Sequence, residues 1–353
     1  MRSVLDRWLS TKLPEGANPE ITSISGTDTN GMSSETVLFD LRWNDKGAVR
    51  DEALVARVAP VGADVPVFPS YDLDLQFDVM RVVAERSDVP VPRVRWYEGD
   101  ESLLGGTFFV MNQVAGIVPP DNPPYVFGSW LMDATPGQRR QLQDETVATL
   151  AALHSIENPA EHFSFLEYDK PGDTHLHRHL AQRTAWYDFA KADVGPSPLL
   201  ERCWAFLSEH LPASTPTVLS WGDSRIGNMM FQDFSPVAVL DWEMAGLAPR
   251  EVDLAWLIYM HRTFQDMAQQ YGFPGLPDFM TFEDVATTYE AVSGYSPQNL
   301  ELYQLYAATQ YGIVGMRTGL RSVHFGEAEM PANIDDMCMN RADIELLLSE
   351  LGA

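Results

Sequence analysis

The spacing of apolar positions changes along the chain, and the change marks its architecture. Leu5, Trp8 and Leu9 fall on one side of a short helix over residues 1–14, which Pro14 ends. Extended segments follow. Residues 21–25 begin the first, 36–43 alternate apolar and polar positions, Asn44-Asp45-Lys46-Gly47 makes a hairpin turn, and 53–58 returns as a strand. Helical spacing reappears over 72–83, and Val89-Pro90-Val91-Pro92 closes that helix and leads to strands ending in the apolar run 107–111. The Pro-rich residues 117–125 fit neither a regular helix nor a central strand. Beyond them helices dominate, over 138–156 (with Leu142, Val147, Leu150 and Leu153 at helical intervals), 252–262, 282–293, 300–317 and 334–351. Strands first and helices afterwards predict an α+β protein, and 353 residues suffice for two packed lobes at roughly 150 residues per domain.

Three short apolar runs, 218–220, 229–231 and 237–240, interrupt the helices and read as strands. Asp223, Asn228 and Asp241 stand where those strands end. Phosphoryl transfer from a nucleotide needs one carboxylate to orient and deprotonate an attacking hydroxyl, and oxygen donors to hold the magnesium that bridges the phosphates. Asp-x4-Asn followed by a strand-terminal Asp supplies those parts, although a lone Asp-x4-Asn also describes two turn residues. Upstream, the small-residue loop 26–35 lies between two strands, where the backbone at Ser33 and Ser34 could cradle phosphates; the same pattern also makes an ordinary hairpin turn.

Charge narrows the partners. Fifty acidic against 24 basic residues give a net charge of −26, which disfavours nucleic acid and anionic membrane surfaces. Such a surface draws cationic partners, or simply serves solubility. No apolar run of about 18 residues is present, and the first eight residues lack the apolar core of a signal peptide, so a cytoplasmic protein is expected. Cys203 and Cys338 lie far apart without metal-ligand spacing and read as ordinary reduced residues. His175, His177 and His179 alternate, an arrangement open to a metal site or to a solvated helix start.

Trp221-Gly222-Asp223, Asn228, Asp241-Trp242 and the following 246–257 resemble the catalytic core of the aminoglycoside phosphotransferase family, the small-molecule branch of the protein-kinase-like fold that includes the choline kinases. That family reads roughly His-Gly-Asp-x4-Asn, then a strand ending in Asp. The resemblance implies two lobes: a nucleotide-clamping lobe over 1–113, with a five-stranded antiparallel sheet and one main helix, and a mainly helical catalytic lobe over 114–353. It implies ATP and Mg2+ as cofactors, Asp223 as catalytic base, and Asn228 and Asp241 as magnesium ligands. Trp221 takes the place of the family's backbone-orienting His, and Asp253 that of the Asp anchoring the catalytic loop. Arg57 stands where such proteins place a phosphate-contacting Lys, and Gln76 where its Glu partner would be, with Asp74 and Asp78 as substitutes. Met111, Asn112 and Val114 fall at the hinge, where adenine would stack and meet backbone groups.

His154 ends a Leu-His helix terminus like the family's and reads as a packed residue. Tyr303, Tyr306, Gln310, Tyr311 and Met316 form a stripe that either faces the cleft or is core. Glu327, Glu329, Asp335 and Asp336 lie where aminoglycoside-modifying relatives keep amine-binding carboxylates. The implied acceptor is a small-molecule hydroxyl: an aminoglycoside, or another metabolite alcohol such as choline, a sugar or a hydroxyacyl compound. A nucleotide-binding pseudokinase is the alternative, motivated by Trp221, Arg57 and Gln76 at the expected His, Lys and Glu positions.

Overall fold

A computed structural model describes residues 1–26, 35–60, 62 and 64–353. Helix α1 (Arg2–Lys12) precedes strands β1 (Glu20–Gly26), β2 (Glu35–Asp45) and β3 (Ala48–Val58); helix α2 (Leu73–Arg86) leads to β4 (Val94–Glu98) and β5 (Phe108–Asn112). These strands form one antiparallel sheet in the order β1-β2-β3-β5-β4. Side chains alternate across it. Leu54, Ala56, Val58, Phe108 and Val110 pack with Leu5, Trp8 and Leu9 of α1 in one core, while Val55, Phe109 and Met111 join α2 and the later helices in a second. Arg57 shares a face with Val55, so its side chain leaves the sheet on the side of the helical region.

That region contains α3 (Trp130–Asp133), α4 (Pro136–His154), α5 (Pro159–His162), α6 (His175–Val194), α7 (Pro198–His210), the short strands β6 (Val218–Ser220), β7 (Met229–Gln232), β8 (Ser235–Val239) and β9 (Gly246–Ala248), then α8 (Arg250–Gln270), α9 (Phe282–Ser293), α10 (Leu300–His324) and α11 (Arg341–Leu351). Local chemistry sets several starts: Thr135 and Gln138 form a capping box ahead of Pro136, and Thr174, Ser197 and Thr281 cap α6, α7 and α9. No helix is long and apolar enough to cross a membrane among the described residues.

Three helices depart furthest from the boundaries the spacing predicts. Helix α8 runs beyond Arg262 because Phe264, Gln265 and Ala268 continue its buried face. Helix α10 likewise continues past Arg317 to His324. The segment expected as one helix over 334–351 breaks into a single tight turn (Ile334–Met337) and α11, because Asn340 turns inward to bond Tyr259 Oη (2.7 Å) and the Ala308 carbonyl (2.8 Å). Between β3 and α2 the chain crosses to the helical region: Val67 is buried there, Trp186 Nε1 donates to its carbonyl (3.0 Å), and Phe68 stacks on the Trp186 ring.

Candidate active site

Two strand pairings bring the expected residues together. β6 pairs with β9 (Val218↔Ala248) and β7 with β8 (Met229↔Val239). The loop 221–228 therefore lies against the turn 240–245. Trp221 joins them: its indole N–H donates to the carbonyls of Leu240 (2.9 Å) and Asp241 (3.2 Å), while the Leu240 N–H bonds the Asn228 carbonyl at 2.8 Å. A Trp thus holds backbone where a His was expected. Position 222 requires glycine, since φ is +89° and a Cβ would run into the Met244 carbonyl.

Asp253, in the first turn of α8, fixes this loop from beneath. It is fully buried, and its Oδ1 accepts from the Ser220 hydroxyl and the Gly222 N–H, each at 2.8 Å. Its Oδ2 accepts from the Trp221 N–H (2.8 Å) and from His154 Nε2 (2.9 Å). His154 in turn meets the Tyr289 hydroxyl at 2.9 Å through Nδ1, so it supports the loop from within the core.

Asp223 is 8% exposed and held on every side. Asn228 Nδ2 donates to Oδ2 at 2.7 Å, Trp256 Nε1 to Oδ1 at 2.7 Å, and Arg225 Nε bridges both oxygens at 3.1 Å. Arg225 also pairs with Asp121, which ties the Pro-rich segment to the loop. Burial works against the Arg225 charge, but Asp223, Asp121 and Asp241 outweigh it and raise its pKa. Sequence reasoning did not single out Arg225, Asp121 or Trp256. Only the position of Arg225, two residues from Asp223, was a signal.

Asp241 contrasts with Asp223. It adopts φ +58°, and its Oδ1 is buried without a hydrogen-bond partner among the described residues. Burial pushes its pKa up, Arg57 pulls it down, Asp223 pushes it up again and Arg225 pulls against that. Arg57, Asp223 and Arg225 therefore surround it electrostatically. Asn228 commits its Nδ2 to Asp223, and its side-chain oxygen accepts no hydrogen bond among the described residues. A partnerless buried carboxylate oxygen on Asp241 and a free carboxamide oxygen on Asn228 are the kind of donors a hard cation takes.

The remaining expectations divide. Arg57 has no hydrogen-bond or ion-pair partner among the described residues, and its Nε is buried. Gln76 is buried on α2 without reaching it, and Asp78 pairs instead with Arg81 at 3.0 Å. Neither Gln76 nor Asp78 therefore bonds Arg57 among the described residues, and the charge of Arg57 draws the Asp241 pKa down. Met111 lies in the β3–β5 ladder opposite Val55. Asn112 is already engaged, its N–H with the Arg93 carbonyl (2.9 Å) and its side-chain oxygen with Arg95 (3.3 Å). Val114 has left the ladder, and its backbone N–H and C=O take no partner among the described residues. Ser33 and Ser34 lie outside the described residues.

The three histidines part company. His179 is buried against Tyr306 Oη (2.7 Å) with its pKa well lowered, by burial first and Arg183 second, which overturns a solvated helix start there; His175 pairs with Glu167 at 3.0 Å. Tyr303, Tyr306, Gln310 and Met316 are core. Asp335 accepts from the Ser197 hydroxyl (2.6 Å), Asp336 pairs with Arg341 (2.6 Å), and Glu327 and Glu329 stay exposed, so these acids do not converge.

A sequence model of the APH phosphotransferase enzyme family matches residues 45–278. Among curated proteins, acyl-CoA dehydrogenase family member 10 of Mus musculus is 29% identical over 208 residues, 58% of this chain and 18% of its own length. Acyl-CoA dehydrogenase family member 11 of Gallus gallus is 26% identical over 327 residues, 90% of this chain and 39% of its own length. The chain spans well under half the length of these relatives. Among solved structures, a Ralstonia eutropha JMP134 protein described as a candidate aminoglycoside phosphotransferase superposes with a TM-score of 0.67 at 21% identity, covering 99% of this chain and 97% of that one. Macrolide 2′-phosphotransferase MphH of Brachybacterium faecium gives 0.58 at 16% identity, covering 97% and 98%. The streptomycin–ATP complex of APH(2″)-IIa gives 0.56 at 13% identity over 90% of each chain. The α+β, kinase-like fold is common to all three.

Proposed function

The chain belongs to the APH phosphotransferase enzyme family, and we propose that it transfers the γ-phosphoryl group of ATP, with magnesium, to the hydroxyl of a metabolite alcohol. The observation that carries this reading is the pairing of a fully bonded carboxylate, Asp223, with a buried carboxylate, Asp241, whose Oδ1 has no partner among the described residues. In the reaction the acceptor O–H gives its proton to Asp223, the acceptor oxygen bonds phosphorus, and the bond to the bridging oxygen breaks with its electrons leaving on ADP. Magnesium held by Asn228 and Asp241 would neutralise charge on the phosphates. Arg57, entering from the sheet beside Asp241, steadies the same phosphates, and the backbone of Val114 is free to meet the adenine edge. In this reading residues 1–113 form the nucleotide-clamping lobe and 114–353 the catalytic lobe, a division supported by the sheet lying in the first and most helices in the second. Because so little covalent chemistry falls to the protein, positioning supplies most of the rate.

Two observations favour a metabolite acceptor. The acids expected to hold amines are engaged elsewhere or exposed, and the curated relatives bear acyl-CoA dehydrogenase names. A hydroxyacyl compound is therefore the first acceptor to try. An aminoglycoside is the second reading, favoured by neighbours solved with streptomycin and with hygromycin B. The test is a phosphotransfer screen with magnesium and ATP across hydroxyacyl thioesters, choline, sugars and aminoglycosides, read by mass spectrometry, with Asp223→Asn as control. Transfer to one class that vanishes in the variant is the expected result. Tight ATP binding without transfer, unchanged by Asp223→Asn, would turn the assignment to a pseudokinase.

A further inference from the structure

Among the described residues, Trp256 is the one side chain outside the loop 221–228 that bonds the Asp223 carboxylate. Its indole N–H reaches Oδ1 at 2.7 Å and the ring is only 3% exposed, so bulk water does not compete for the contact. Asp253 sits one turn earlier on the same helix, and residues three apart share a face. One rigid element therefore holds both the loop backbone, through Asp253, and the side chain of the base, through Trp256.

The bond lengths sort the donors. Asn228 grips Oδ2 and Trp256 grips Oδ1, each at 2.7 Å, whereas Arg225 spans both oxygens at 3.1 Å. Held by short bonds at both oxygens, the carboxylate is prevented from turning about its Cβ–Cγ bond. The longer, shared Arg225 contact is the one an arriving hydroxyl can replace. We propose that Trp256 is a positioning residue for phosphoryl transfer, locking Asp223 so that the edge now bridged by Arg225 is presented to the acceptor hydroxyl. This rests on the phosphotransferase reading above.

The test replaces Trp256 by 3-benzothienylalanine, which keeps the bicyclic ring and exchanges the N–H for sulfur, with Trp256→Phe as the genetic counterpart. Turnover is followed with Mg–ATP, using water and the screened alcohols as acceptors. The expected result is a roughly ten- to hundredfold fall in kcat with KM for ATP held within about twofold, because the lost contact orients the base and does not bind nucleotide. A kcat retained within about twofold in the isostere overturns the proposal and leaves the phosphotransferase reading intact. A matching rise in KM for ATP overturns it too, by showing a packing role for the ring. A wild-type protein that turns over with no acceptor, water included, removes the phosphotransferase reading and the proposal together.

Discussion

Asp223 and Asp241 lie near enough for the charge of one to raise the pKa of the other, yet the chain treats them in opposite ways. Around Asp223, α8 and the loop 221–228 supply Trp256, Asn228 and Arg225, and the loop is itself pinned by the buried Asp253. Around Asp241, the turn adopts a left-handed backbone and leaves Oδ1 buried with no donor among the described residues. A carboxylate that must accept a proton in one direction gains from being fixed before substrate arrives. One that waits for a cation must keep an oxygen free, and its cost is borne by the surrounding fold. On the proposed reading, the difference separates a base built by the chain alone from a ligand completed by something else.

The sharpest way to break that contrast is to neutralise each acid without changing its shape. Asp223→Asn is expected to lower phosphotransfer by about a thousandfold, close to 4 kcal/mol of barrier, while leaving nucleotide binding intact. Asp241→Asn is expected to lose activity to a similar degree for another reason. Thermal unfolding separates them: magnesium with ADP should raise the Tm of Asp223→Asn as it does the wild type, and leave Asp241→Asn unmoved. Equal responses in the two variants would dissolve the assignment of separate roles.

A smaller effect probes the support beneath Asp223. Asp253 receives four donors in a site with no solvent access. Asp253→Asn sets an N–H2 against some of them and is expected to cost on the order of 3 kcal/mol in a urea denaturation. A loss below about 1 kcal/mol would mean the loop is held mainly by strand pairing.

How much of this was legible beforehand depends on how local each feature is. Asp223, Asn228 and Asp241 all fall within the one stretch 218–242, so their order survives in the sequence. The side chosen by Arg57 follows from strand alternation, because Val55 and Arg57 must share a face. Trp256 was not legible: a Trp at helical spacing on a buried helix reads as core, and only the folded loop brings a carboxylate to its N–H. The link from Arg225 to Asp121 joins residues about a hundred positions apart, beyond any periodicity. Strand β9 has only three residues, Gly246–Ala248, too few to show alternation, and it exists because β6 pairs with it. The crossing that buries Val67 carried no helical or strand period either, and tertiary contacts with Trp186 define it.

The smallest expected effect carries a sign that distinguishes the two acids. Burial, the first cause, together with Asp223 lifts the Asp241 pKa above the ordinary carboxylate value, despite Arg57 and Arg225. A carboxylate raised on folding adds stability below its unfolded pKa, and that contribution is lost as pH rises through the folded value. Relative to a neutral side chain, Asp241 is therefore a penalty at neutral pH without magnesium, and Asp241→Asn should stabilise the protein. The gain should shrink toward zero as pH falls below the ordinary carboxylate range, since both side chains are then uncharged. Asp223→Asn should show the opposite sign at neutral pH, because it takes a charge from Trp256, Asn228 and Arg225, which already satisfy it. Magnesium adds the last discriminating step: with the cation present the advantage of Asp241→Asn should reverse, because only the wild-type carboxylate can use it. Paired melts of the two variants, with and without magnesium from mildly acidic to neutral pH, would show whether the unpartnered oxygen at Asp241 is kept for a cation or is only a flaw in packing.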